Sequence, residues 1–147
     1  MKRISSAISF LALAFILTTS CNKEDDGNQP SSSGEAGFFY AENSAASFTK
    51  ANEVTANKQY NTIIAKVNNA TVVEIVLTDL KKGSYPLSTR YAFTYVKDGK
   101  YWEATAGTLT ITKDDGNKIS GTYEATAGSG VSGLNSVSGK FTEVPVK

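Results

Sequence analysis

The chain has 147 residues, 40% of them hydrophobic and 20% charged, with a formal net charge of +1; this is the profile of a single globular domain and is short for two. It has no histidine and one cysteine, which excludes Ser–His and Cys–His nucleophilic pairs, histidine metal sites and any internal disulfide. The near-neutral charge excludes a nucleic-acid surface driven by electrostatics.

The first twenty residues read as an address. Lys2 and Arg3 form a short positive region, and the stretch from Ala7 to Leu17 is apolar. Its unbroken run, Phe10 to Leu17, is eight residues, whereas a membrane-spanning helix needs about 20. Thr18, Thr19 and Ser20 then lead into Cys21, completing the three-part layout of a secretory signal over residues 1–20. With the only cysteine at that point, the segment resembles a bacterial lipoprotein signal. The resemblance implies diacylglycerol on the Cys21 sulfur, cleavage before it and acylation of the new amino terminus. Several acyl chains together anchor stably, where one chain binds only marginally. Thr18 stands where the lipoprotein box usually has an aliphatic residue, and Leu17 lies one place further back.

Lys23, Glu24, Asp25 and Asp26 follow closely and resemble the export tag of surface lipoproteins in the Bacteroidetes. Read as residues alone, they are a solvated charge cluster at the start of a tether. Residues 21–36 form that tether; 22–35 contain no aliphatic or aromatic residue and are rich in Asn, Asp, Ser and Gly. Such a segment buries too little apolar surface to offset its ordering entropy, and as a random coil it spans roughly 20 Å. Losing Lys2 and Arg3 with the signal leaves 13 basic against 14 acidic residues.

From residue 37 to 147 the pattern changes to short apolar runs of period two. The stretch from Ala41 to Ala56 is too polar for a helix and lacks an apolar stripe. Candidate strands are Phe38–Ala41, Tyr60–Val67, Thr71–Thr78, Arg90–Val96, Tyr101–Thr112, Lys118–Thr126 and Ser136–Val144. Short strands separated by turn signals predict an all-β fold, an antiparallel sandwich or barrel of about seven or eight strands.

Two hairpins can be read residue by residue. Asp98-Gly99 favours the two-residue type I′ turn, which pairs Val96 with Tyr101, Tyr95 with Trp102, Thr94 with Glu103 and Phe93 with Ala104. Tyr91, Phe93, Tyr95, Trp102 and Ala104 then share one face. Asp114-Asp115-Gly116 reads as a three-residue loop with Gly116 left-handed, pairing Ile111 with Ile119, Thr110 with Ser120 and Thr108 with Thr122. The two hairpins disagree about their shared strand. Trp102 and Ala104 are even-numbered, while Leu109 and Ile111 are odd. A phase change must lie between them, and Gly107 is the natural bulge, where the strand bends and passes from one sheet to the other.

Gly83-Ser84-Tyr85-Pro86-Leu87, Ala106-Gly107-Thr108-Leu109-Thr110-Ile111-Thr112, Ser120-Gly121-Thr122-Tyr123 and Ser138-Gly139-Lys140-Phe141 follow one another in the C-terminal half. In this order they resemble small β-rich Bacteroidetes lipoproteins of unknown function, the DUF6252-like type. The resemblance covers roughly residues 70–142; no Gly-Lys-x-Trp strand stands near residue 45. It implies a β-rich fold and a surface location, and carries no catalytic residues.

Catalytic signals are thin. Glycoside hydrolysis needs two facing carboxyls, and most acids of the domain fall at turns or on exposed strand faces. Asp98, Asp114 and Asp115 are turn formers, and Glu103 and Glu124 sit opposite Thr neighbours. Asp114, Asp115 and Asn117 could offer oxygens to Ca²⁺, but the loop lacks the longer ligand pattern and a closing bidentate acid. No metal site, cofactor or enzymatic activity is expected. The aromatic group Tyr91, Tyr95, Tyr101 and Trp102 around one hairpin is the candidate binding feature, since rings with polar tips bury large area at low entropic cost. The same face carries Phe93, which makes core the alternative for Tyr95 and Trp102; Tyr101, beside Val96, is the more exposed. The expected protein is lipid-anchored at the outer-membrane surface and binds a glycan or an envelope protein; a structural subunit of an outer-membrane complex and a small enzyme or enzyme inhibitor are the alternatives.

Overall fold

A computed structural model describes residues 34–88 and 92–147. The signal, Cys21, the export tag from Lys23 to Asp26, and Arg90 and Tyr91 lie outside the described residues. The described chain is all-β: eleven strands in two antiparallel sheets packed face to face. In chain order they are β1 (Gly37–Glu42), β2 (Thr49–Lys50), β3 (Glu53–Asn57), β4 (Thr62–Val67), β5 (Ala70–Val76) and β6 (Gly83–Pro86), then β7 (Phe93–Lys97), β8 (Lys100–Glu103), β9 (Ala106–Asp114), β10 (Lys118–Thr126) and β11 (Ser136–Pro145). One sheet has the order β2-β1-β11-β10-β9-β6 and the other β3-β4-β5-β7-β8.

The seven expected strands are all present, and four more divide the chain further. Strands β2, β3 and β6 carry too little apolar signal to be read. β2 is two residues long, β3 turns only Val54 and Ala56 toward the other sheet, and β6 is an edge strand holding a glycine and a proline. The fourth arises because Tyr101–Thr112 is two strands. β8 belongs to the five-stranded sheet and β9 to the six-stranded one, so the chain does change sheets within the phase switch. It does so at Ala104–Thr105 rather than at Gly107, which lies inside β9 and pairs with Ala125 without a bulge. Gly107 has φ +132°, and a Cβ there would lie 2.1 Å from the Glu124 carbonyl oxygen.

The Asp98-Gly99 turn has φ of 51° and 73° at its two residues, the type I′ signature. It sets the expected pairs Val96–Tyr101, Tyr95–Trp102 and Thr94–Glu103, and Ala104 donates its amide to the Phe93 carbonyl. A second turn of the same kind, Asn68-Asn69 with φ of 50° and 65°, joins β4 to β5; asparagine tolerates that left-handed conformation better than most residues. The other expected register needs correction. Gly116 does have positive φ, 88°, but Asp115 and Lys118 close the turn, and a bulge follows at Ser120/Gly121. Ile111 therefore faces Gly121 rather than Ile119, and Thr110 faces Thr122 rather than Ser120. The slip is two residues, so every side chain keeps its expected face.

Between the sheets lie Phe38, Phe93, Trp102, Phe141, Leu109, Ile111, Ile63 and Ile75, each at most 1% exposed. The repeated Ser-Gly-x-aromatic motif explains part of this packing. β10 and β11 pair so that Gly121 faces Phe141 and Tyr123 faces Gly139. Each aromatic ring covers the space its partner glycine leaves open; a Cβ on Gly121 would stand 2.6 Å from Phe141 Cζ. Tyr123 reaches past Gly139 to donate its hydroxyl to the Phe39 carbonyl at 3.2 Å. Its ring also stacks 5.2 Å from Phe38 and lies 5.5 Å from Phe93, tying both sheets into one aromatic cluster.

The seam beside β3 is closed by the C-terminus. Lys147 donates its amide to the Ala56 carbonyl at 2.8 Å, and Lys58 donates to the Lys147 carbonyl at 2.9 Å. That cover leaves fewer open backbone groups along the β3 edge for stray strand pairing.

Candidate functional site

The aromatic hairpin resolves into core and surface. Trp102 is fully buried, meets Phe93 edge-on at 6.2 Å, and donates its indole N–H to the Leu134 carbonyl at 3.0 Å. Tyr95 is 4% exposed, and its hydroxyl donates to Glu42 Oε1 at 2.6 Å across the two sheets. Burial, then that bond, pushes the Tyr95 hydroxyl far above the usual tyrosine range, so it stays a neutral donor. Glu42 also accepts from Lys97. Burial pushes its carboxyl up, but the bonds from Lys97 and Tyr95 outweigh that and hold it below its ordinary value. Trp102 and Tyr95 are therefore packing and cross-sheet ties, enclosed where no ligand can stack on them. Tyr101 is 66% exposed on the outer face of the five-stranded sheet, and Tyr91 lies outside the described residues.

The turn acids serve the backbone. Asp114 accepts the Gly116 amide at 2.9 Å, and Asp115 accepts the amides of Asn117 and Lys118 at 3.0 and 2.8 Å. These bonds to Asp115 hold its carboxyl below the usual range. Among the described residues, no three Cys, Asp or Glu side chains group to hold a metal ion.

The feature that sequence reading missed lies on the outer face of the six-stranded sheet. Because Leu109, Ile111, Tyr123, Val137 and Phe141 turn inward, their alternate neighbours turn outward. Register sets those neighbours in two rows across the strands. Ser138, Glu124 and Thr108 face one another in the first, and Lys140, Thr122 and Thr110 in the second. Together they floor an open groove of about 530 Å³, with Phe48, one residue before β2, completing its lining. The face is anchored on β1, where Phe39 and Ala41 are 5% and 4% exposed yet stand outside the core cluster. The ammonium groups of Lys50 and Lys140 lie 5.7 and 5.6 Å from the Phe39 ring centroid, within cation–π range.

The groove thus offers four hydroxyls, one carboxylate, one ammonium and one aromatic ring. Its signal in the sequence is the outward Thr and Ser alternation on β9, β10 and β11, which ordinary strand propensity also produces. Only the pairing of β10 with β11 across the loop 127–135, and the return of β2 beside β1, bring those residues together. No protein-family model, no curated protein and no solved structure matches this chain.

Proposed function

We propose that this chain is a lipid-anchored protein of the bacterial outer-membrane surface whose β-sandwich binds a glycan in the groove on the six-stranded sheet. The observation that carries the reading is the composition of that groove. A sugar ring presents hydroxyls around its rim and C–H bonds on its faces. Thr108, Thr110, Thr122, Ser138, Glu124 and Lys140 answer the rim, and the Phe48 ring answers a face. Among the described residues Glu124 is the only carboxylate lining the groove, whereas glycoside hydrolysis works with a facing pair. The reading is therefore recognition without turnover or cofactor. The anchor at Cys21 and the tag Lys23, Glu24, Asp25 and Asp26 support display on the exterior, in reach of extracellular glycans.

A second reading has its own observation. Tyr101 at 66% and Val76 at 39% are exposed large side chains on the outer face of the five-stranded sheet, a surface suited to a protein neighbour in an outer-membrane complex. Binding of the mature chain carrying Cys21→Ala to a broad glycan array separates the two. Glu124→Ala and Phe48→Ala are expected to abolish array binding, with Tyr101→Ala unchanged. Loss only with Tyr101→Ala would move the site to the other sheet. No binding to any glycan, with a stoichiometric partner co-purifying after gentle detergent extraction, would replace recognition with a structural role.

A further inference from the structure

Resting on the glycan reading above, we infer that the groove takes a linear, uncharged polysaccharide laid across the strands, one sugar per strand. Lys140, Thr122 and Thr110 face one another on β11, β10 and β9, and the row continues to Ser84 on β6. Ser138, Glu124 and Thr108 form the parallel row, ending at Pro86. Adjacent strands are ~4.8 Å apart, and alternate residues of one strand ~7 Å apart. An extended pyranose chain advances about one strand spacing per sugar, so a chain lying across the sheet meets a fresh pair of side chains at every ring. A chain lying along a strand meets the longer spacing, and the groove offers it only two such positions. From Lys140 to Thr110 is two strand spacings, ~10 Å, and Phe48 lengthens the lining on the β1 side. The groove therefore holds about three sugars.

Charge selects the class. Glu124 stands at the middle of its row, between Ser138 and Thr108, where a carboxylated or sulfated sugar would meet a like charge. Lys140, the one cation lining the groove among the described residues, lies at the end of the other row with its ammonium over the Phe39 ring. One charge of each sign leaves no net field to draw a polyanion. Neutral hydroxyls, by contrast, can donate to the Glu124 carboxylate and accept from the threonines.

The test uses the mature chain with Cys21→Ala against neutral glucans, xylans, mannans and arabinans, and against acidic pectin, alginate and sulfated chains. Oligosaccharides from the monomer to the hexamer of any binder follow, by calorimetry at low and high salt. The expected result is a neutral binder whose affinity climbs to about the trimer and then levels off, with little dependence on salt. Thr110→Ala and Glu124→Ala, at different strands, should each weaken it, Glu124→Ala by roughly tenfold or more, with unchanged thermal unfolding. A monomer bound as tightly as the hexamer would overturn the crosswise placement and leave glycan binding standing. Binding confined to acidic chains and weakened by salt would overturn the neutral class. No binding across the panel would remove the glycan reading and this inference together.

Discussion

Replacing Gly139 by alanine tests the aromatic–glycine packing that joins β10 and β11. The new Cβ would stand 1.9 Å from the Phe39 carbonyl oxygen and 2.7 Å from the Tyr123 hydroxyl oxygen. Neither neighbour yields easily, since one is backbone of the paired strand β1 and the other a ring held in the core at 3% exposure. Overpacking of this kind costs about 1–3 kcal/mol. Losing the bond from Tyr123 to the Phe39 carbonyl adds about 1–2 kcal/mol, because the hydroxyl is left buried. The sum, about 2–5 kcal/mol, is a large share of an ordinary domain's stability of about 5–15 kcal/mol. At about 4 °C per kcal/mol for a domain of this size, Tm should fall by about 8–20 °C. Urea unfolding followed by tryptophan fluorescence reads the free energy, and thermal unfolding followed by near-ultraviolet circular dichroism reads Tm. Tyr123→Phe alone should cost about 1 kcal/mol. In the double variant the two losses should fall short of additivity by about 1 kcal/mol, because the hydroxyl part of the clash is gone. A Gly139→Ala protein within about 0.5 kcal/mol of the parent, or strict additivity in the double variant, would refute the close-approach reasoning.

Trp102→Ala should destabilise by about 3–5 kcal/mol, because it empties the ring's place against Phe93 and leaves the Leu134 carbonyl without its donor. A variant of parental stability in urea that has lost only binding would put Trp102 back at a ligand site. Stability should also fall on acidification through Glu42. Its folded pKa is depressed from 4.5, so its contribution is complete above that value and drains away as pH drops through the folded one. Glu42→Gln should flatten the acid limb of a Tm-against-pH curve; an unchanged limb would assign acid lability elsewhere. At the alkaline end, the Tyr95 and Tyr123 hydroxyls are raised above their ordinary 10.0, so stability should fall as pH rises past 10.0. A Tm indifferent to pH there would contradict their enclosure. Cys21→Ala should abolish acyl labelling and move the protein from the membrane to the soluble fraction; persistent labelling would refute the anchor.

Some of this protein is written locally and some is not. Period-two runs and turn residues sufficed for the longer strands though not for β2, β3 and β6, because side-chain alternation and the φ demands of Asp98-Gly99 are properties of neighbouring residues. The even-to-odd switch between Trp102 and Leu109 announced a change of sheet for the same reason, since one strand cannot bury both phases on one face. Its place, Ala104–Thr105 rather than Gly107, was set by where β9 begins to pair with β10. The two-residue slip between β9 and β10 was not readable, since the turn closes at Asp115–Lys118 and the bulge at Ser120/Gly121 then takes back one position. Nor could composition decide whether Tyr95, Tyr101 and Trp102 were surface or core. That followed only when the other sheet covered one side of the hairpin, enclosing Trp102 and Tyr95 and leaving Tyr101 in solvent. The groove is the clearest case. Its residues come from three strands and the loop before β2, separated by up to 92 positions from Phe48 to Lys140. No local pattern links them; long-range strand pairing alone makes Thr110, Thr122 and Lys140 neighbours, and that pairing is settled by the aromatic core on the opposite face.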